Sequence, residues 1–298
     1  MKEYIKQYEK MREDYYNKWG EYNHPLSLQD FDEMNQKIYK EFLEKYDDSS
    51  NKVVKTELYI DILLVEAVFF NYYVAFCEGS FDRLNDALWQ NGRIKLLSGS
   101  ISSSGVVYTS NSINGLLACF ACNDFEIIEL YIPEKLHILS GTFYTENMIN
   151  IFHSIYYKDD EKLEAAILVA EKFLTKKKNT GLAEHYVRFF IALARKDALG
   201  ISEYLQKLCV SCQKQGYSTA KIEKCFLPEI HGLYHLVRFF DKGLFDKVTM
   251  PEHKSFLKEF EEWQKENNFP KGRQFYRYQE TLDNANLILQ SSIPVIHL

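Results

Sequence analysis

A helix, a tight polar turn ending in aspartate, and a second amphipathic helix recur along the middle of the chain. No other feature limits the available folds as much. FACNDFEIIELYIPEKL (120–136), YYKDDEKLEAAILVAEKFL (156–174) and LARKDALGISEYLQKL (193–208) are three copies. FFDKGLFDKV (239–248) is a looser fourth, and FCEGSFDRLNDALW (76–89) a fifth with Gly79 at the turn. The turn aspartates Asp124, Asp159, Asp197 and Asp241 stand 35, 38 and 44 residues apart. That drifting interval suits a helix-hairpin unit stacked into an irregular solenoid. At the start of the second helix an aspartate accepts unpaired backbone N–H groups and meets the positive end of the helix dipole, which contributes about 1 kcal/mol. Such a role is structural and leaves no catalytic task for these four residues.

The predicted fold is therefore all-α: stacked helical hairpins forming an irregular, TPR-like α-solenoid. Apolar residues recur at three and four, as in Leu163, Ala166, Ile167, Ala170, Phe173 and Leu174, and the chain has only six prolines. Helix punctuation falls at Asn23-His24-Pro25, at 47–51 and at Phe269-Pro270-Lys271-Gly272. One stretch differs in style. SGSISSSGVVYTSNSING (98–115) is rich in Ser and Gly with a short β-branched run, which predicts a long loop or small hairpin near 98–112. The chain is expected to form a single domain over 1–298, with a possible subdivision into an N-terminal helical region (1–97) and a hairpin-repeat region (113–298).

With 298 residues, 46% of them hydrophobic and 15% aromatic, the chain can bury a large core, and wholesale disorder is excluded. A net charge of −6 gives no general electrostatic footprint for nucleic acid or an anionic membrane. The opening MKEYIKQYEKMREDYYNKWGEY mixes charges with aromatics and shows no secretory h-region, so a cytoplasmic location is expected. LYIDILLVEAVFFNYYVAFC (58–77) has spanning length but carries Asp61 and Glu66, each costing about 2.5–3.5 kcal/mol at a bilayer centre. It is expected to be a helix buried in protein.

NGLLACFACNDFEIIELYIPE and EHYVRFFIALARKDALGISEYLQKL carry a resemblance as well as a repeat. Over roughly 110–245 the chain resembles the immunity proteins of bacterial polymorphic-toxin systems, in particular the all-helical immunity protein family forty-nine. The resemblance implies a non-enzymatic cytoplasmic antitoxin that binds and neutralises a cognate toxin. It carries over no catalytic residue, and it implies no cofactor. A helical-repeat adaptor binding a peptide or protein partner is the alternative.

A third alternative comes from HGLYHLVRFF (231–240), where His231 and His235 stand four apart as in a metal-dependent hydrolase. The zincin pattern requires Glu after the first histidine, and Gly232 stands there. On a helix from Pro228, the residues Ile230, Leu233, Tyr234, Val237 and Phe240 form the apolar stripe, with His231, His235, Arg238 and Lys242 on the neighbouring face. Two cations and no acid in that stripe oppose a divalent metal. HYVRFF (185–190) repeats the pattern, so His185 and Arg188 match His235 and Arg238. Equivalent positions in a solenoid line one ridge. Either these four residues form part of a binding face for carboxylates or another anion, or each pairs with a nearby acid and ties hairpins together.

Other chemistry is sparse. The pairs Cys119/Cys122 and Cys209/Cys212 lie more than eighty residues apart in apolar, helix-patterned runs, unlike a four-cysteine zinc site. No phosphate-binding loop or nucleophile elbow is present. KGRQFYRYQ (271–279) is expected to start a helix with Arg273 and Arg277 packed over aromatic rings. The acidic, aromatic N-terminus fits either a protein-contact surface or an amphipathic helix pair.

Overall fold

The computed structural model describes residues 1–45, 67–100, 108–176, 181–215 and 221–278, together with 286, 289 and 290. Among these every regular element is helical. Helices α1 (Lys2–Trp19) and α2 (Leu28–Lys45) come first, and α3 (Ala67–Glu78) forms a hairpin with α4 (Phe81–Ser100). Helix α5 (Ser110–Ala121) packs back along α4 and leads to the short α6 (Ile127–Tyr131). Two further hairpins follow, α7 (Tyr144–Tyr156) with α8 (Asp160–Leu174) and α9 (Gly181–Ala194) with α10 (Ala198–Gln213). A 3-10 turn (Ile222–Lys224) leads to helix α11 (Pro228–Phe240), which the short α12 (Lys242–Phe245) and α13 (Lys258–Glu266) follow. The fold is that of an all-α protein of stacked helical hairpins.

The recurring turn is one backbone motif. Gly79, Asn123, Lys158 and Lys196 all adopt left-handed φ angles, of 62°, 60°, 56° and 54°. In each case the next N–H reaches back five residues: Ser80 to the Ala75 carbonyl, Asp124 to Cys119, Asp159 to Ser154 and Asp197 to Ala192, at 2.9–3.3 Å. This is the Schellman closure, which satisfies carbonyls at the end of the first helix. The residue that makes the bond then opens the second helix. Asp159 accepts from the Lys162 N–H at 2.9 Å and Asp197 from Gly200 at 3.0 Å, and Ser80 does the same for Arg83 at 3.2 Å. Asp241 caps α12 through the Leu244 N–H at 3.0 Å, without a left-handed residue before it.

Asp124 departs from the expected capping role. Its Oδ2 receives the Arg93 guanidinium at 2.9 Å, and Lys271 Nζ lies 3.3 Å from Oδ1. Glu126, not Asp124, occupies the N-cap position of α6. Asp124 is fully buried, and a carboxylate withdrawn from water needs a cation far more than a one-turn helix needs a cap.

Helix α5 is the centre of the molecule. Its apolar residues divide between two clusters, Leu116, Leu117 and Phe120 facing the repeat core and Ala118 and Ala121 facing the N-terminal core. Glycines let its neighbours approach. A Cβ on Gly92 of α4 would stand 2.6 Å from Cys119 Sγ, and one on Gly232 of α11 would stand 1.9 Å from the Leu117 carbonyl oxygen. Both distances are below any van der Waals contact, so these two crossings require glycine.

The second core joins α1–α4 to the C-terminal part of the chain, including Phe260 and Phe275. The division between cores therefore does not fall at the Ser/Gly stretch. Residues 270–278 are an extended strap instead of the expected helix start. Gly272 N–H donates to the Cys122 carbonyl at 2.8 Å, and Arg273 and Tyr276 N–H groups donate to Asp86 and Gln90 of α4 at 2.8 and 2.9 Å. The strap satisfies its backbone with α4 side chains, which a helix could not do. Arg83, not Arg273 or Arg277, covers the Phe275 ring at 3.9 Å, while Arg273 faces Asp82 and Asp86.

The described part of the apolar 58–77 window, α3, is packed inside the protein. Asp61, Glu66, the punctuation at 47–51 and residues 101–107 lie outside the described residues. At the edges of the Ser/Gly stretch the chain is helical: α4 runs through Ser100, and Thr109 caps α5 by accepting from the Ser112 N–H at 3.2 Å. Among the described residues no helix is long and apolar enough to cross a membrane.

Candidate functional site

Pro228 starts α11 at a position where its missing N–H costs nothing, and the helix that follows is buried on most of its surface. His231 and His235 are both inside, 0% and 1% exposed. The expected open cationic stripe is not formed at these two positions, because α13 covers that face. α13 also supplies the acid that the histidine stripe of α11 lacks. The imidazoles share the buried Glu261 carboxylate: His231 Nδ1–H donates to Oε1, and His235 Nε2–H donates to Oε2 at 2.7 Å.

The second nitrogen of His231 fixes its tautomer. The Leu257 N–H donates to Nε2 at 3.2 Å, so Nε2 is an acceptor and the ring is neutral with its proton on Nδ1. Burial holds the His231 pKa below its ordinary value, although Glu261 pulls the other way. Phe256 stacks on the same ring, with centroids 4.2 Å apart. Burial also opposes the charge on Glu261, but the pull of His235 and the two imidazole hydrogen bonds prevail and bring its carboxyl down to about 2. Among the described residues His235 Nδ1 has no hydrogen-bond partner. Among the described residues no group of three histidine, cysteine or acidic side chains is placed to hold a metal ion.

The four residues of the expected ridge are placed differently. His235 is engaged internally with Glu261. Arg238, one turn further along α11, emerges half-buried with its guanidinium 3.7 Å over the Phe269 ring. It lines a cleft of about 500 Å³ between α11, α12 and α13, whose walls include Tyr234, Phe245 and Met250 and whose charged residues include Lys242, Asp246, Glu262 and Lys265. Arg238 has no ion-pair partner among the described residues. Burial alone pulls its pKa down.

His185 and Arg188 do not line that cleft. His185 is half-buried against α10, with Nδ1 2.9 Å from Ser211 Oγ, and burial lowers its pKa. Arg188 Nε donates to Glu184 of its own helix at 2.7 Å, a hydrogen bond that raises its pKa. The two His-x-x-Arg copies therefore share a sequence but not an environment, and the structure does not bring them together in one cleft.

The cysteine pairs are core residues. Cys119, Cys122 and Cys209 are buried, and burial drives their thiols up, to about 12 for Cys209, so none supplies a thiolate near neutral pH. On α1, Tyr4 and Tyr8 are buried, as in an amphipathic helix, while Trp19 remains 60% exposed.

Sequence reasoning missed Glu261. The signal was present: Leu257, Phe260, Glu261 and Gln264 follow helical spacing, so an acid stands in the buried stripe of α13 and requires a buried partner. No family model matches the chain, and neither a curated protein nor a solved structure does.

Proposed function

We propose that this chain is a non-enzymatic immunity protein, an antitoxin that binds a cognate bacterial toxin in the cytoplasm and neutralises it by occupying its surface. The observation that carries the binding role is Arg238: a half-buried guanidinium, stacked on Phe269 at an aromatic-lined cleft, with no ion pair among the described residues. An arginine stacked on an aromatic ring at a cleft is the type of group that dominates protein interfaces. A toxin carboxylate entering the cleft would complete its hydrogen bonds. Support for the immunity role comes from the resemblance over 110–245 and from the burial of the histidines and cysteines that could otherwise do chemistry.

Co-expression with a candidate toxin, taken from a gene adjoining the one that encodes this chain, tests the function. Growth is restored by the intact chain; failure to restore it, with no complex formed, overturns the immunity role. Within the complex, Arg238→Glu weakens binding by about tenfold or more at an unchanged melting temperature. Arg188→Glu changes binding little, because Glu184 already holds that cation. Equal binding by wild type and Arg238→Glu removes Arg238 from the interface.

The adaptor reading is favoured by a second feature, a groove of about 760 Å³ at the turn edge of the hairpins, lined in part by Tyr156, Phe239, Phe240 and Leu244. Binding of many unrelated peptides, displaced by Phe239→Ala, would support an adaptor in place of an antitoxin.

A further inference from the structure

Glu229, in the first turn of α11, is an acid with unfinished bonding. A glutamate there favours the helix dipole, which accounts for its position but not for its surroundings. It is half-buried and lines a cavity of about 400 Å³ between α5, α7, α9 and the segment leading into α11. That volume falls within the roughly 300–1,000 Å³ of small-ligand sites. Among the described residues, the Glu229 carboxylate accepts from its own backbone N–H but has neither an ion pair nor a hydrogen bond to another side chain. The Asn114 carboxamide and the Tyr186 hydroxyl, which line the same cavity, are also without partners there. Tyr144 and Tyr186 stack with centroids 5.5 Å apart and present aromatic surface beside them.

The Glu229 carboxylate is the group in this cavity that favours a cation. Lys224 lies on its wall, but its ammonium is used by the Gln213 carbonyl at 3.1 Å and by the Gln215 carbonyl. Lys95 stands on the other side of Glu229, beside a smaller cavity of about 30 Å³, and forms no ion pair with it. Burial pushes the Glu229 carboxyl above its usual range, and Lys95 offsets this only in part. An incoming cation would relieve that penalty.

We propose that this cavity binds a guanidinium group, with Glu229 as its carboxylate partner and the Tyr144–Tyr186 pair as its stacking surface. A planar guanidinium suits this set better than an ammonium, because it bonds a carboxylate through two N–H groups and stacks on aromatic faces. The Asn114 and Tyr186 oxygens can accept its remaining donors. The group can belong to a free small molecule or to an arginine side chain of a protein. The site is separate from the Arg238 cleft and does not depend on the immunity role.

Calorimetric titration of the full chain with agmatine, with N-acetyl-arginine amide and with an arginine-containing hexapeptide tests the proposal. Saturable binding is expected for at least one of them, and none for N-acetyl-citrulline amide, which keeps the shape without the charge. Glu229→Gln weakens binding at least tenfold with an unchanged circular dichroism spectrum, and Tyr186→Phe weakens it less. Preference for agmatine identifies a free ligand, and preference for the hexapeptide identifies a macromolecular one. No binding of any of the three overturns the proposal, as does binding that Glu229→Gln leaves intact. Binding of inorganic phosphate that is abolished by Lys224→Met also overturns it, since Lys224 is the cation on the wall of this cavity and the cavity would then be an anion site.

Discussion

Glu261 is one carboxylate holding two imidazoles, and the arrangement fixes how the protein responds to acid. Its folded pKa lies below the ordinary 4.5, so its contribution to stability is complete above that value and is lost as pH falls toward 2. His231 is held below its ordinary 6.5, so the unfolded chain takes up a proton first, and stability is lost as pH falls below 6.5. Both effects have the same sign. Melting temperature is expected to decline below pH 6.5 and more steeply below 4.5, which scanning calorimetry between pH 4 and 8 would show. Glu261→Leu leaves two buried imidazoles without an acceptor and is expected to cost about 3–5 kcal/mol at pH 7. It also removes the Glu261 share of the decline below pH 4.5. A loss under 1 kcal/mol in denaturant titration would mean that the bridge contributes little. At this scale the sequence was half legible: the histidines stood out as a pair, but their partner lies thirty residues away on another helix.

At the scale of the element, the turns were the most readable part of the chain. A Lys-Asp or Asn-Asp pair between two amphipathic runs encodes a left-handed residue that closes one helix and an acceptor that opens the next. Lysine is an unfavourable choice for a left-handed position, which costs a side chain about 1–2 kcal/mol, whereas glycine's greater loss of entropy is about 0.5–1 kcal/mol. Lys158→Gly is therefore expected to stabilise the protein by up to about 1 kcal/mol. Asp159→Ala, one position later, is expected to cost about 1 kcal/mol by leaving the Lys162 N–H unpaired. Urea unfolding of the two variants should move in opposite directions; movement in the same direction would show that the turn is not divided into these two roles. Asp124 carries the same local signal, and tertiary structure reassigns it, because Arg93 and Lys271 converge on it once α4 and the C-terminal strap are in place.

For the molecule as a whole, α5 couples the two cores, and the crossings of α4 and α11 over it depend on atoms that glycine lacks. Gly232→Ala places a methyl against the Leu117 carbonyl and forces α11 away from α5. The expected cost is about 1–3 kcal/mol or more, with α11 carrying both Glu229 and Arg238 out of register. The guanidinium binding and the toxin binding proposed above should then weaken together, although neither residue is altered. If stability and both activities persist, the close crossing is not required. The all-α class, the hairpin turns and the helix stripes follow from the sequence by itself, because helical periodicity, left-handed turn residues and caps act within a few residues. Tertiary structure alone decided that His235 is buried on Glu261 while Arg238, stacked on Phe269, has no ion-pair partner among the described residues. It also decided that the C-terminal strap closes onto α4, and that Asp124 is an ion pair instead of a cap. Those outcomes depend on which distant groups share a low-dielectric interior, where an unpaired charge costs more than any local preference can return.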